Sequence, residues 1–332
     1  MTGAERCVVQ AFLRHQYAGY PSWQTLKYDR RVLGVPQGSS LALFLSNIAA
    51  HDLDMTLERA GGSFVRFADD VIAVAHTYSD ARNIELEFRA HCERSGVRIN
   101  FEKSSGISLL GKRPLDDLRS FFIDKDDGAD LRKLTYVDFL GHRVASDGID
   151  LTEKAVKRIK RKISRIIYIH LLLYPRRTHP INPSRIGGSA VDWDLVTCIN
   201  ELRKYIYGGL REKALVSFID ENVKLPFVRG VMAFYPLVSG IDRLAELDGW
   251  LLDVLSRAIR ERQKLIMQQP GLVSYTIDRA SLIDGNWHQS EIANETMLPS
   301  FVRGWRAARK FYKRYGLSEM KAPSYYSLLS LY

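Results

Sequence analysis

The sequence has little of several things, and each shortage narrows what it can be. Cysteine is scarce: Cys7, Cys92 and Cys198 are the only three in 332 residues, widely and irregularly spaced. That argues against a disulfide framework or a zinc knuckle and points to a reducing, cytoplasmic setting. No apolar run approaches the roughly 18 residues of a membrane-crossing helix, and the N-terminal residues do not read as a signal peptide, so no membrane partner is expected. No internal repeat is visible. Acidic residues are in deficit: 38 Asp and Glu face 48 Lys and Arg, a formal charge of +10, with an isoelectric point near 9.4. An imbalance of that size favours a polyanionic partner, although solvated surfaces also carry excess charge. Ahead of Gln37 the only acids are Glu5 and Asp29.

Apolar residues are plentiful, at 46%, enough for a large core and two domains. Residues 5–17 read as an amphipathic helix, and Leu26 to Leu33 as a strand or turn leading into Gly34-Val-Pro-Gln-Gly38. From Ser39 to Arg59, Leu41, Leu45, Ile48, Ala49 and Leu53 recur at helical spacing. Phe64 to Val74 is an apolar, β-branched run broken only by Arg66 and two acids, which predicts a hairpin. Asp80 is placed to cap a helix ending at Gly96; Val97 to Phe101, Ile107 to Leu110 and Tyr136 to Val144 read as strands, the last turned back by Ser146, Asp147 and Gly148. Composition then shifts. Asp150 and Glu153 read as a capping box for a basic helix from Leu151 to Leu173, a Pro- and Gly-rich linker follows, and helices are predicted at 192–207, 210–221, 241–268 and 299–315. The order is mixed α+β up to residue 148 and all-helical from 149 to 332.

Two segments carry chemistry. Phe67-Ala68-Asp69-Asp70 places adjacent carboxylates between apolar strand residues, an arrangement that is costly unless a cation sits with them. Such a pair suits Mg²⁺, which takes carboxylate oxygens and keeps several waters. The ordinary alternative is a surface hairpin with an acidic tip. Pro36-Gln37-Gly38-Ser39 is a common turn taken alone; here it stands about thirty residues ahead of the acid pair and opens a helix. Gly38 lets backbone approach a ligand, Gln37 can reach a sugar or base edge, and the helix N-terminus favours phosphate.

Taken together, the segments resemble motifs B and C of reverse transcriptases in the lineage of group II introns, retrons and bacterial defence-associated enzymes. Ser95-Gly-Val-Arg-Ile-Asn100-Phe-Glu-Lys103 resembles motif D, and Tyr136-Val-Asp-Phe139-Leu140-Gly141-His142 resembles the primer-grip motif E. The helical part is similar in Asn200 to Gly209 and in Leu247-Asp-Gly-Trp-Leu251. The resemblance implies a right-hand polymerase: a partial palm over 1–148, then a helical thumb and C-terminal extension over 149–332. It implies RNA-directed DNA synthesis with two Mg²⁺ ions, or Mn²⁺ in their place, and dNTPs, an RNA template and a DNA product as partners; a non-coding RNA is a further candidate. Asp69 and Asp70 would hold metal, Lys103 would sit near the leaving pyrophosphate, and Gln37, Gly38, Ser39, Phe67 and Ala68 would border the nucleotide. Phe139, Leu140 and Gly141 would touch the primer strand. An anti-phage role follows from the resemblance alone.

The family's third metal-binding aspartate lies on a strand, motif A, ahead of the Pro-Gln-Gly turn, and its fingers lie further upstream. Neither is found here, and Asp29, inside Lys27-Tyr-Asp-Arg-Arg31, is a poor stand-in. Three explanations stand open: a second polypeptide supplies the missing half, the sequence is part of a longer product, or the protein is a non-catalytic nucleic-acid-binding scaffold. Retention of two mutually repelling acids favours the first two. In the basic helix, Lys154, Lys157, Arg158, Lys160, Arg161, Lys162 and Arg165 meet a single acid, Glu153. A solvated face is the usual reading of such a run; a duplex phosphate backbone is the sharper one, with Lys157, Lys160, Arg161 and Arg165 as its contacts and Arg203, Lys204, Tyr205 and Tyr207 extending it. Trp250, Trp287 and Trp305 read as core anchors, and His51, His91 and His142 show no ligand spacing.

Overall fold

The computed structural model describes residues 2–13, 40–104, 106–111, 132–176, 181–187, 191–221, 223–225, 227–269, 271–272, 275–287 and 296–320. The chain divides into two compact units, Met1–Leu109 with Pro114–Leu134, and Leu110–Arg113 with Thr135–Tyr332. Helix and small antiparallel sheets mix throughout, as an α+β fold requires.

In the first unit α1 spans Gly3–Leu13, opened by a reciprocal Thr2–Glu5 capping box. The helix expected over 39–59 is two, α2 (Ser40–Ala49) and α3 (His51–Arg59), broken where Ala50 leaves helical geometry at ψ 2°. Leu53 and Leu57 of α3 form a small core with Ala60 and with Ile84 of α4 (Tyr78–Ser95). Between α3 and α4 run β1 (Ser63–Phe67) and β2 (Asp70–Val74), paired Phe67↔Asp70 through Ser63↔Val74. Gly62 admits this hairpin to α4, since a Cβ there would lie 2.3 Å from Ile84 Cδ1. Thr77, not Asp80, is the N-cap of α4; Asp80 is the N3 partner whose backbone N–H donates to Thr77 Oγ1 at 3.1 Å. Gly96 ends α4 in the left-handed region at φ 67°, as expected. Val97 to Phe101 is not a strand: Asn100 folds the segment into a turn, accepting from the backbone of Lys103 and Ser104. Short strands β3 (Ser108–Leu110) and β4 (Arg132–Leu134) pair with one another.

The second unit opens with a three-stranded meander, β5 (Tyr136–Phe139), β6 (His142–Ala145) and β7 (Gly148–Leu151). The single strand expected over 136–144 is thus a hairpin, turned at Leu140 (φ 47°) and Gly141 (φ 84°), the two positive values of a type I′ turn. By packing, this sheet belongs with the helices that follow it. The basic helix α5 spans Glu153–Ile167 and continues as a π-helical turn, Tyr168–Leu173, and a short turn α6, Tyr174–Arg176. Its cap is Thr152, which accepts from Ala155 N–H at 3.0 Å. Asp150 and Glu153, the pair expected to cap it, both hold Arg243 instead. Strands β8 (Ile186–Gly187) and β9 (Val191–Asp192) lead to α7 (Trp193–Tyr207), α8 (Glu212–Glu221), α9 (Asp242–Met267), α10 (Arg279–Asp284) and α11 (Phe301–Tyr315). The apolar stripe of α5 (Val156, Ile159, Ile163, Ile166) packs with Ile199 and Leu202 of α7, Leu251 and Leu255 of α9, and Phe301 of α11 in one core.

Candidate active site and nucleic-acid face

The acid pair sits at the tip of the β1–β2 hairpin. Strand pairing ends at Phe67↔Asp70, so Ala68 and Asp69 form a two-residue turn. Ala68 stands at φ 54° while Asp69 does not share the positive value, the pattern of a type II′ turn. A glycine usually occupies that place; alanine there costs on the order of 1 kcal/mol, which the surroundings must offset. Asp69 and Asp70 are exposed, and among the described residues no hydrogen bond or ion pair engages either carboxylate. Phe67 is exposed beside them. Among the described residues, nothing competes with a ligand for either acid.

What holds the turn was not expected from the sequence. Arg66, one residue before Phe67, turns its guanidinium into the unit, where 9% of the side chain is exposed. Nε and Nη2 donate to the two oxygens of Asp54 on α3, each at 2.6 Å, a bidentate pair. Nη1 donates to Asn47 Oδ1 on α2 and to the carbonyl of Ala68, both at 3.1 Å. The Arg66 hydrogen bonds hold the Asp54 carboxyl below the usual carboxylate range, against an opposing effect of burial. The available signal was Arg66 itself, the lone cation in an apolar run, together with Asp54 in the first turn of the preceding helix.

Lys103 is exposed in the turn after α4, and among the described residues nothing ties it to the acid hairpin. Gln37, Gly38 and Ser39 lie outside the described residues, as does Asp29. Among the described residues no third His, Cys, Asp or Glu joins Asp69 and Asp70 in a cluster that could hold a metal ion. Two free adjacent carboxylates fit one side of a Mg²⁺ shell that keeps its waters, and they do not make a complete two-ion site.

In the second unit the Phe139-Leu140-Gly141 turn lies at the head of α5. The Gly141 carbonyl accepts from Thr152 N–H at 3.0 Å, and a Cβ on Gly141 would lie 3.0 Å from Tyr235 Oη. His142 packs against Tyr235 with the rings tilted by 50° and their centroids 5.0 Å apart. Burial lowers its pKa, and Nε2 has no partner among the described residues. Leu140 is exposed and Phe139 half-buried. Along α5, Lys154, Lys157, Arg158, Arg161 and Arg165 are exposed. Lys160 is not a free cation: its ammonium lies over the Trp250 ring, 5.4 Å from the centroid. The proposed extension on α7 needs correction, because Arg203 and Tyr207 are buried and only Lys204 of the group is exposed. Tyr207 instead donates to Glu212, and Arg203 donates to Asn200 and to the Met297 carbonyl. The Leu247-Asp-Gly-Trp-Leu251 segment serves the fold, because Asp248 accepts from Phe301 N–H, Val302 N–H and Ser300 Oγ and so caps α11 from α9.

A hairpin presenting free adjacent carboxylates is an arrangement suited to metal-dependent nucleotidyl transfer. Residues 2–144 match the family described as reverse transcriptase (RNA-dependent DNA polymerase). The matched stretch includes Gln37, Asp69, Asp70, Lys103 and Gly141 and ends within β6; the resemblance noted further along, over the helices, lies beyond it. No curated protein matches the chain. No helix among the described residues is long and apolar enough to cross a membrane.

Proposed function

We propose that the chain is the palm (1–148) and helical thumb with C-terminal extension (149–332) of an RNA-directed DNA polymerase. The observation that carries the reading is the Asp69–Asp70 turn, whose carboxylates no other described residue engages, inside the stretch matching the reverse transcriptase family. In this reading a primer 3′-hydroxyl attacks the α-phosphate of a dNTP and pyrophosphate leaves. Mg²⁺ held by Asp69 and Asp70 would polarise the phosphate and lower the pKa of the hydroxyl. Lys103 would neutralise charge growing on the pyrophosphate. Gln37, Gly38 and Ser39, with Phe67 and Ala68, would border the nucleotide, and the Phe139–Gly141 turn would position the primer end. The exposed cations of α5 would follow the duplex backbone. The third acid and the fingers would come from a segment outside this sequence, either a second polypeptide or another part of a longer one.

The test compares the full chain with Asp69→Ala/Asp70→Ala, each isolated from its own cells with whatever co-purifies. Labelled dNTP incorporation on a primed RNA template should fall, in the variant, to the level seen with chelator. A double variant that still extends primers overturns the metal-site assignment. Template binding without incorporation by the wild type would favour the non-catalytic scaffold.

A further inference from the structure

We infer that Arg66 is a positioning residue for the acid turn, and that Asp54 is there to occupy its charge. The inference rests on the metal-site reading of Asp69 and Asp70 and adds to it how those carboxylates are presented. Four of the five N–H donors of Arg66 are engaged, by three different elements: Asp54 on α3, Asn47 on α2 and the carbonyl of Ala68 in the turn. A planar fork alone can do this; a lysine ammonium could keep the Asp54 pair but could not span the same three partners.

Two consequences follow from the geometry. The carbonyl contact bears on the one residue of the turn with a left-handed backbone, Ala68 at φ 54°. Arg66 therefore holds the strained peptide from beneath and fixes the direction in which the next two side chains leave the backbone. The second consequence is electrostatic. An unneutralised guanidinium three residues from Asp69 would itself pair with the acids and compete with a divalent cation. Asp54, bound through both oxygens at 2.6 Å, removes that competitor while leaving Nη1 free to hold the turn. The cation beneath the acid pair thus serves as a brace and not as its counter-ion.

Mn²⁺ binding to the full chain, read by the loss of free-ion signal in electron paramagnetic resonance, tests this without polymerisation. Circular dichroism melts run alongside to report the fold. Asp69→Ala/Asp70→Ala should abolish the saturable binding; if it does not, the metal-site reading fails. With that control in place, Arg66→Lys should raise the Mn²⁺ Kd roughly fivefold, the size of one lost hydrogen bond, with its melting midpoint little changed. Asp54→Asn should weaken binding at least as much, by releasing the guanidinium toward the acids. Arg89→Lys, which alters the exposed Arg89–Glu85 pair on α4, should leave the Kd unchanged. Wild-type affinity in a folded Arg66→Lys overturns the inference. Should Arg66→Lys lose its fold, unchanged affinity in Asp54→Asn does the same.

Discussion

Arg262 is the largest fully buried side chain described, with 1% of it exposed, and it lies in the middle of the helical unit on α9. It donates to both oxygens of Asp192, to Asp194 and to the Leu171 carbonyl of the π-helical turn. Tyr275 donates to the same Asp192, whose carboxylate also caps α7. Four segments, counting α9 itself, thus meet at the Arg262–Asp192 pair. Placing charges there gives little net stability, but removing one partner strands the others. Arg262→Ala, which leaves Asp192 buried without its cation, should lower unfolding stability by about 3–5 kcal/mol in a urea titration. A loss under about 1 kcal/mol would mean that water or a shifted side chain replaces it. The contrast with Arg66 shows what a sequence reveals at this scale. Asp69 and Asp70 were legible because they are neighbours in the chain and break an apolar strand pattern. Arg66 and Asp54 were each noticeable, yet their bond spans twelve positions and depends on α3 packing beside β1. Arg262 and Asp192, seventy positions apart, left no local sign at all.

Elements were legible where one force dominates, and misread where two compete. The apolar, β-branched run from Phe64 to Val74 predicted the hairpin, and the long periodic helices α7, α9 and α11 lie within a few residues of their expected bounds. Val97 to Phe101 has strand-like composition, but Asn100 offers the backbone a local partner and the turn wins. At the start of α5 the acids Asp150 and Glu153 looked like caps; Arg243, ninety residues further along the chain from Glu153, draws both away and leaves the helix to be capped by Thr152. The cationic face of α5 is the element whose function can be measured directly. Its apolar stripe is buried, which turns Lys154, Lys157 and Arg161 outward, and no described acid holds them. Lys160, seated on Trp250, serves the fold and is left intact in the test. Reversing Lys154, Lys157 and Arg161 to glutamate should weaken duplex binding and flatten its salt dependence by roughly one unit of slope per lost phosphate contact. Filter-binding titrations across salt concentrations read this out, and an unchanged slope would make the face merely solvated.

At the scale of the whole chain the two units differ in how well each closes on itself. The helical unit buries a continuous core from Leu151 to Phe311, whereas among the described residues of the first unit the buried cluster is four residues, Leu53, Leu57, Ala60 and Ile84, with Ala42 and Cys92 buried apart from it. The hairpin that carries the acids is a sheet of only two strands among the described residues. Its outer face leaves Val65 59%, Phe67 55% and Val74 62% exposed. A two-stranded sheet is marginal alone, and exposed apolar strands template association. The chemistry points the same way, because one Asp-Asp turn leaves a second metal ion poorly held. A strand laid beside this hairpin and bearing an aspartate would pair its open edge, extend the sheet and complete the donor set at once. The chain on its own should therefore self-associate and fail to incorporate dNTPs with Mg²⁺. A polypeptide supplying that strand and the fingers should restore both a single species in size-exclusion chromatography and activity. Robust incorporation by a monodisperse monomer would defeat this expectation. It would assign the third carboxylate to an acid already in the sequence, Asp29 before all others, because it is the acid nearest ahead of the Gln37 turn.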